Sequence, residues 1–598
     1  DGTQQTNSTN PTNPSQSGES QTATTVDTEK TDIPSNLPDE ANTLKISCSE
    51  GTNNCWSIDG QTLTFSGLTA DTVCSISGSF NGQIVIDGGD DYKFELEMCG
   101  LTLYSGEQNP ITILSGDKVT LSAKKETKNY IYDTREAVSD DDETAYSAAV
   151  YAKCDLELAG KGELTVISSN NNGIHTKDDL KVKNLTLSVT CEDNALKGND
   201  SVSITGGILT LIAKSGDGIK TKNSDISSKG NQRGTVTISG GTVNIYAACD
   251  GIDAAYDADI SDDAIVNIYT DSYSPYSEIS AGGNTGGGNF PSGGNTGLPS
   301  ENGNSKSGSG FGGGSFGGNG GFGGGSFGGG SFGGGGRPGG QGGMNDGNSE
   351  KGDYSTKGIK ADNEIHISGG TITVNSYDDA IHANGGDALE NGETATGNIL
   401  IGGGTLTLFT KDDGVHADGT LTVSGGKIEI TGNYEGLEGT FVAVTGGDIS
   451  IVSSDDGINA TTTSGTGITF EGGTVYIYAG GDGIDSNSRT SYQGILFAGG
   501  NITVVSTSGG DSSIDTEQGY TYTGGTVLAL CPSNGMGNEA VNCRNFSSIG
   551  TKTTLNLSQG QTVNVKVGGN TVASVTMPCR LSALAVYLGS ANASFSAE

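Results

Sequence analysis

Residues 203–223 read SITGGILTLIAKSGDGIKTKN, and this passage holds both units from which most of the chain is built. In the first, two short alternating segments flank Gly206-Gly207. Their period of two sends Ile204, Leu209 and Leu211 to one side and Ser203, Thr205 and Thr210 to the other, the pattern of a half-buried strand. Thr and β-branched residues favour strand, and Gly-Gly allows a tight corner without a Cβ penalty. The second unit, Asp217-Gly218-Ile219, is a turn followed by a buried aliphatic.

Both units recur. The strand pair returns as TISGGTVNIYA at Thr237, HISGGTITVNS at His366, TVSGGKIEITG at Thr422 and TFEGGTVYIYA at Thr469. The turn returns beginning at Asn172, Asn194, Asp217, Asp250, Lys357, Asp379, Asp413, Glu435, Asp456, Asp482 and Ser512, at spacings of 22, 23, 33, 107, 22, 34, 22, 21, 26 and 30 residues. The 107 spans a Gly-rich tract; the others fit one coil of a solenoid plus variable loops. No stretch carries a helical period, and the gaps are too short for helical crossovers. Blades of a propeller would need larger units. The pattern predicts an all-β parallel β-helix, a β-solenoid whose thin aliphatic core needs few hydrophobes. That agrees with a chain of 598 residues that is only 32% hydrophobic and contains 101 glycines.

Five segments follow from composition. Residues 1–42, rich in Thr, Ser, Asn, Gln and Pro, read as a disordered tether. Residues 43–277 hold an N-terminal cap and the first coils. Residues 278–350 form a Gly-rich insertion whose Phe290, Phe311, Phe316, Phe322, Phe327 and Phe332 offer a route to self-association. Residues 351–530 continue the solenoid. Residues 531–598 alternate without the turn signal, as a β cap or small β module would.

Acids outnumber Lys plus Arg by 70 to 31, a formal net charge of -39. This excludes a nucleic-acid backbone binder and disfavours anionic membranes. No run of 18 or more apolar residues is present, so no transmembrane segment is expected. Ten cysteines, Cys48, Cys55, Cys74, Cys99, Cys154, Cys191, Cys249, Cys531, Cys543 and Cys579, are even in number and lack a CxxC knuckle, so all are disulfide candidates in an oxidising compartment. Sequons at Asn7, Asn184, Asn501, Asn545, Asn556 and Asn592 are glycosylation candidates. The chain starts at Asp1 with no signal peptide, as expected of a processed extracellular product, secreted or bound at the cell surface.

Stacked coils turn a repeat into a column. The residue after each buried aliphatic is His175, Lys197, Lys220, Asp253, Lys360, His382, His416, Glu438, Asn459, Asp485 or Asp515. All are polar, so this position is expected to face water. Acids at rung spacing repel, and an oxygen-rich, sulfur-free set suits Ca²⁺. The candidate ligands are Asp178, Asp193, Asp217, Asp250, Asp253, Asp379, Asp413, Asp456, Asp482 and Asp485, against a plain turn-supporting role for each. His175, His382 and His416 occupy equivalent positions, as a transition-metal ladder would, but only the last two are on neighbouring rungs. Tyr246, Tyr377, Tyr434 and Tyr476 could stack against sugar rings. If the protein is a lyase, Lys197 or Lys220 would be the base.

The run KCDLELAGKGELTV, NNGIHTKDDLKV, NALKGNDSVSITGGILTLIAKSGDGIKTKN resembles the secreted carbohydrate-binding domain family whose fold is a right-handed parallel β-helix related to the calcium-dependent pectate lyases. The resemblance covers roughly 45–530. It implies calcium-assisted, non-catalytic binding of plant or microbial polysaccharide at a cell surface, with Asp178, Asp193, Asp217 and Asp250 at its acidic rung positions. The chain departs from the pattern at Cys154, where Asp would stand, and in its cysteines and sequons. Those departures keep open a structural cell-surface, matrix or filament glycoprotein, with a calcium-dependent polysaccharide lyase as the third reading.

Overall fold

The computed structural model describes residues 43–49, 55–139, 146–270 and 355–598. They form an all-β parallel solenoid in which each coil lays its strands in register on those of the coil before. The alternating segments become strands because one side is buried at every step: Ser201–Ala213 pairs first with Asp179–Val182 and then, past its Gly-Gly corner, with Thr186–Cys191. In the next coil the corner residue Gly241 has φ 87°, which only glycine adopts without strain. A column of aliphatics runs Ile174, Leu196, Ile219, Ile252, Ile359, Ile381, Val415, Leu437, Ile458, Ile484, each in register with the next and buried. The stacking continues between coils far apart in sequence, since Ile252–Ala254 pairs with Ile359–Ala361 and Ile265–Thr270 pairs with Thr371–Asn375.

The turn glycines have a steric cause. A Cβ at Gly218 would lie 2.2 Å from Ile245 Cγ2, and one at Gly251 2.3 Å from Ile268 Cγ2. Gly173, Gly358, Gly414, Gly436, Gly457 and Gly483 likewise face a Val or Ile inside their own coil. The three coils with a larger turn residue, Ala195, Ala380 and Ser513, carry Leu211, Leu408 and Ala529 at the position of that Val or Ile. A branch at Cβ presses on the turn, whereas Leu branches one atom further out and Ala not at all.

Antiparallel strands close both ends. Lys45–Cys48 pairs with Thr72–Asn81, and Trp56–Asp59 forms a hairpin with Thr62–Ser66. At the other end Thr526–Pro532 pairs with Leu581–Leu588, which also pairs with Gly550–Leu557. A separate three-stranded sheet joins Thr562–Val567 to Asn570–Thr576 and Ser594–Ala597. These strands build a second core around Leu528, Leu530, Leu557, Val563 and Val565. Two short helical turns, Glu539–Val541 and Phe546–Ile549, lie in the connection.

One disulfide is present among the described cysteines, Cys48–Cys74, which ties the antiparallel cap together. This corrects the expectation for the other eight. Cys55 places its sulfur 3.8 Å from that of Cys74, beyond the reach of a covalent bond. Cys99, Cys154, Cys191, Cys249, Cys531, Cys543 and Cys579 are thiols. In-register stacking is the reason: Cys191 is opposite Ala213 and Cys531 opposite Leu584, so neither meets a second sulfur. Asn184, Asn501, Asn545, Asn556 and Asn592 are exposed. Asn7, residues 1–42 and the insertion 278–350 lie outside the described residues. Among the described residues, no helix is long and apolar enough to cross a membrane.

Candidate functional site

The turn position forms a side-chain ladder. Asn172 Oδ1 accepts the backbone N–H of Asn194, Asn194 that of Asp217, Asp217 that of Asp250 and Asp250 that of Lys357, at 2.7–3.0 Å. The pattern resumes from Asp379 to Asp413 to Glu435, and from Asp456 to Asp482 to Ser512. One carboxylate oxygen is thus spent on structure. In Asp217, Asp379 and Asp413 the second meets the residue three positions on, which belongs to the polar column.

That column is continuous: His175, Lys197, Lys220, Asp253, Lys360, His382, His416, Glu438, Asn459, Asp485 and Asp515 are in register from rung to rung. It does not uniformly face water, since His175, Lys197 and Asn459 are buried. Its chemistry changes along its length.

In the early coils lysine is the cation. Lys220 Nζ lies 2.6 Å from both Asp217 Oδ2 and Asp253 Oδ2, and Lys360 Nζ 3.0 Å from Asp253 Oδ1. Burial works to raise the Asp253 carboxyl, but Lys220 and Lys360 outweigh it and hold it below the usual range. Asp217, Asp250 and Asp253 converge closely enough to hold a metal ion, and the Lys220 ammonium lies within ion-pair distance of two of them. Although burial opposes the charge on Lys220, the two carboxylates push its pKa up, which runs against the role of a lyase base. Lys197 is buried between His175 and Lys220 in the column, away from the open surface a base needs. Asp193 accepts from Asn194 Nδ2 at 3.0 Å. Asp178 belongs to another corner, grouped with Asp155 and Asp179; burial, then Asp178 and Asp179, push Asp155 up to about 6. Asp155 follows Cys154, so that coil has an acid one place from where it was sought.

In the middle coils imidazole takes over. His382 Nδ1 is 2.5 Å from Asp379 Oδ2, and His416 Nδ1 is 3.2 Å from Asp413 Oδ2. The two rings stack with centroids 4.5 Å apart. Asp379 and Asp413 therefore serve histidines.

In the last coils the column positions Asn459, Asp485 and Asp515 carry no basic side chain. Asp456, Asp482 and Asp485 come together with Asp515 and with Glu539 from the C-terminal connection, and among the described residues none of the five has an ion-pair partner. Burial first, then neighbouring carboxylates, raise Asp456 to about 7, Asp482 to about 9 and Asp485 to about 8. Glu539 is raised for the same reasons, and its Oε2 is buried without a hydrogen-bond partner. Such a set has oxygens and negative charge to spare, and a hard divalent cation satisfies both. Glu539 carries no rung signal and reaches the site only because the connection folds onto the final coil.

Aromatic residues separate into two groups. Tyr246 stacks on Tyr269, centroids 5.3 Å apart and planes within 11°, on an outward strand position in register from rung to rung. Asn244 and Asn267 lie beside them, joined by a 2.9 Å hydrogen bond. Tyr377 and Tyr434, 47% and 39% exposed, occupy the corner next to the turn ladder. Tyr476 is different: it packs against the second core, and burial pushes its hydroxyl up to about 12. This corrects its assignment as a sugar platform.

A family model described as carbohydrate-binding domain-containing protein matches residues 59–398 and 399–577. Over 124 residues the chain is 32% identical to a carbohydrate-binding domain-containing protein of Acetivibrio thermocellus; the match covers 20% of this chain and 43% of that relative, so it spans less than half the relative's length. A solved structure, the polysaccharide lyase-like protein from C. thermocellum as a gadolinium derivative, is 30% identical, covering 36% of this chain and 85% of its own at a TM-score of 0.33.

Proposed function

The chain belongs to the family of carbohydrate-binding domain-containing proteins, and on that premise we propose that it is a non-catalytic, extracellular protein that binds an extended polysaccharide with the assistance of calcium. The observation that carries the reading is the outward Tyr246–Tyr269 stack on a regular strand face. Adjacent rungs of such a face are about 4.8 Å apart. Two parallel rings at that interval offer apolar platforms to successive sugars, while Asn244 and Asn267 supply amide groups for hydroxyls. Tyr377 and Tyr434 extend the aromatic surface around the corner.

Calcium belongs to the same proposal. Asp456, Asp482, Asp485, Asp515 and Glu539 are its ligand set, because their mutual repulsion is relieved only by a cation or by protonation. The proposed solenoid winds right-handed. The exposed sequons and the Cys48–Cys74 bond support secretion or cell-surface display. The test is a pull-down of the full chain on a panel of insoluble polysaccharides, with calcium and with chelator. Retention on at least one polymer, lost with Tyr246→Ala and weakened by chelator, is expected. Retention on none at any calcium level overturns the reading.

A further inference from the structure

We propose that His382, His416 and Asp418 form a binding site for a divalent transition-metal ion of the zinc class, distinct from the calcium position in the last coils. Both Nε2 atoms point toward a single oxygen, Asp418 Oδ1, at 3.9 Å from His382 and 3.5 Å from His416. Two donors each about 2.1 Å from a tetrahedral zinc ion stand roughly 3.4 Å apart, so the His416–Asp418 separation already matches a ligand edge and the His382–Asp418 separation exceeds it by about half an ångström.

The remaining atoms of the three side chains are already held. Asp379 and Asp413, both buried, engage the two Nδ1 atoms, which directs the lone pair of each neutral ring to Nε2. Asp379 and Asp413 are themselves fixed, because their other oxygens accept from the turn ladder. Asp418 Oδ2 accepts from Gly385 N at 2.9 Å. Two imidazoles and one carboxylate, each oriented from behind by a hydrogen bond, make a three-ligand set with further coordination positions open. Nitrogen donors distinguish it from the all-oxygen group that suits calcium.

The alternative occupant is protons. The groups facing the rings are Asp379, Asp413, Asp418 and Glu438, with Lys357 close to Asp379 and Lys360 next in the column. Four carboxylates could hold two imidazolium ions without a metal. Binding a metal ion displaces those protons to solvent and leaves the Nδ1 hydrogen bonds in place.

Full-length chain, stripped by chelator and returned to saturating calcium, is titrated with Co²⁺ and then Zn²⁺. One saturable site is expected, with Co²⁺ absorption that Zn²⁺ abolishes and calcium does not. His416→Ala and Asp418→Ala remove it, and Asp379→Asn, which takes away the carboxylate behind His382 Nδ1, weakens it by about 10- to 100-fold. Asp485→Asn leaves it intact, so loss of calcium binding and loss of this site are separable. Imidazole NMR of the unmodified chain guards against misfolded variants: of the four histidines, two shift on adding Zn²⁺ while His175 and His366 do not. Equal zinc affinity in His416→Ala, or absence of any saturable site with unmoved imidazole resonances, overturns the proposal in favour of a protonated pair.

Discussion

Gly218 and Ile245 lie on opposite sides of one coil, so close that a Cβ on the glycine would fall 2.2 Å from the isoleucine Cγ2. Gly218→Ala is therefore expected to destabilise the solenoid by about 2–3 kcal/mol, the range for an overpacked core. The chain also contains its own remedy, because Ala195 is accommodated where Leu211 replaces the β-branched side chain. Ile245→Leu should bring Gly218→Ala back to within about 1 kcal/mol of the parent, a coupling that a double-mutant cycle in denaturant measures. Additive losses would remove the steric account.

Membership of the aliphatic and polar columns was legible because parallel stacking repeats one position per coil, whatever the loops between coils contain. His175 through Asp515 could be aligned from spacing alone. What a column member touches was not legible, since it depends on neighbours supplied by different coils. Lys220 closes on Asp253, 33 residues away, and Asp418 reaches the rings of His382 and His416 from further along a strand. Counting acids along the column therefore did not foresee the lysines that stand among them. Glu539 and the packing of Tyr476 depend on how the C-terminal strands seat on the last coils, for which no periodic signal exists.

The Asp253 carboxylate, held between Lys220 and Lys360, links stability to acid pH. Its folded pKa is below the unfolded value of about 3.9, so its contribution is fully present above that pH and is lost as pH falls through the lowered value. Asp253→Asn should cost about 3 kcal/mol at pH 7, as removal of one partner from a largely buried pair does. It should also flatten the fall in stability below about pH 4, because the group that must be protonated is gone. Melting curves of both proteins across that range test this; parallel acid profiles would show that Asp253 is not the linked group.

Calcium should act as a folding ligand through the last coils. At neutral pH, a concentration a hundredfold above Kd should stabilise the chain by about 2.7 kcal/mol. Glu539→Gln relieves repulsion at Asp515 and satisfies part of the charge imbalance without metal. This variant should melt higher than the parent in chelator and gain less from added calcium. A variant that melts lower in chelator and keeps the full gain would place the ion elsewhere.

Tyr246 and Tyr476 make opposite demands on the same experiment. Tyr246 stacks on Tyr269 at an outward position, so Tyr246→Ala removes a platform and little of the core. Loss of one aromatic contact worth about 1.4 kcal/mol weakens glycan binding roughly tenfold. Its melting temperature should stay near the parent's. Tyr476 packs against the second core, so Tyr476→Ala opens a cavity there and should cost about 3 kcal/mol, with binding unchanged below its melting temperature. Polymer affinity and thermal stability measured on both variants separate the two roles. A loss of affinity in Tyr476→Ala equal to that in Tyr246→Ala would mean that the C-terminal strands, and not the central strand face, carry the glycan.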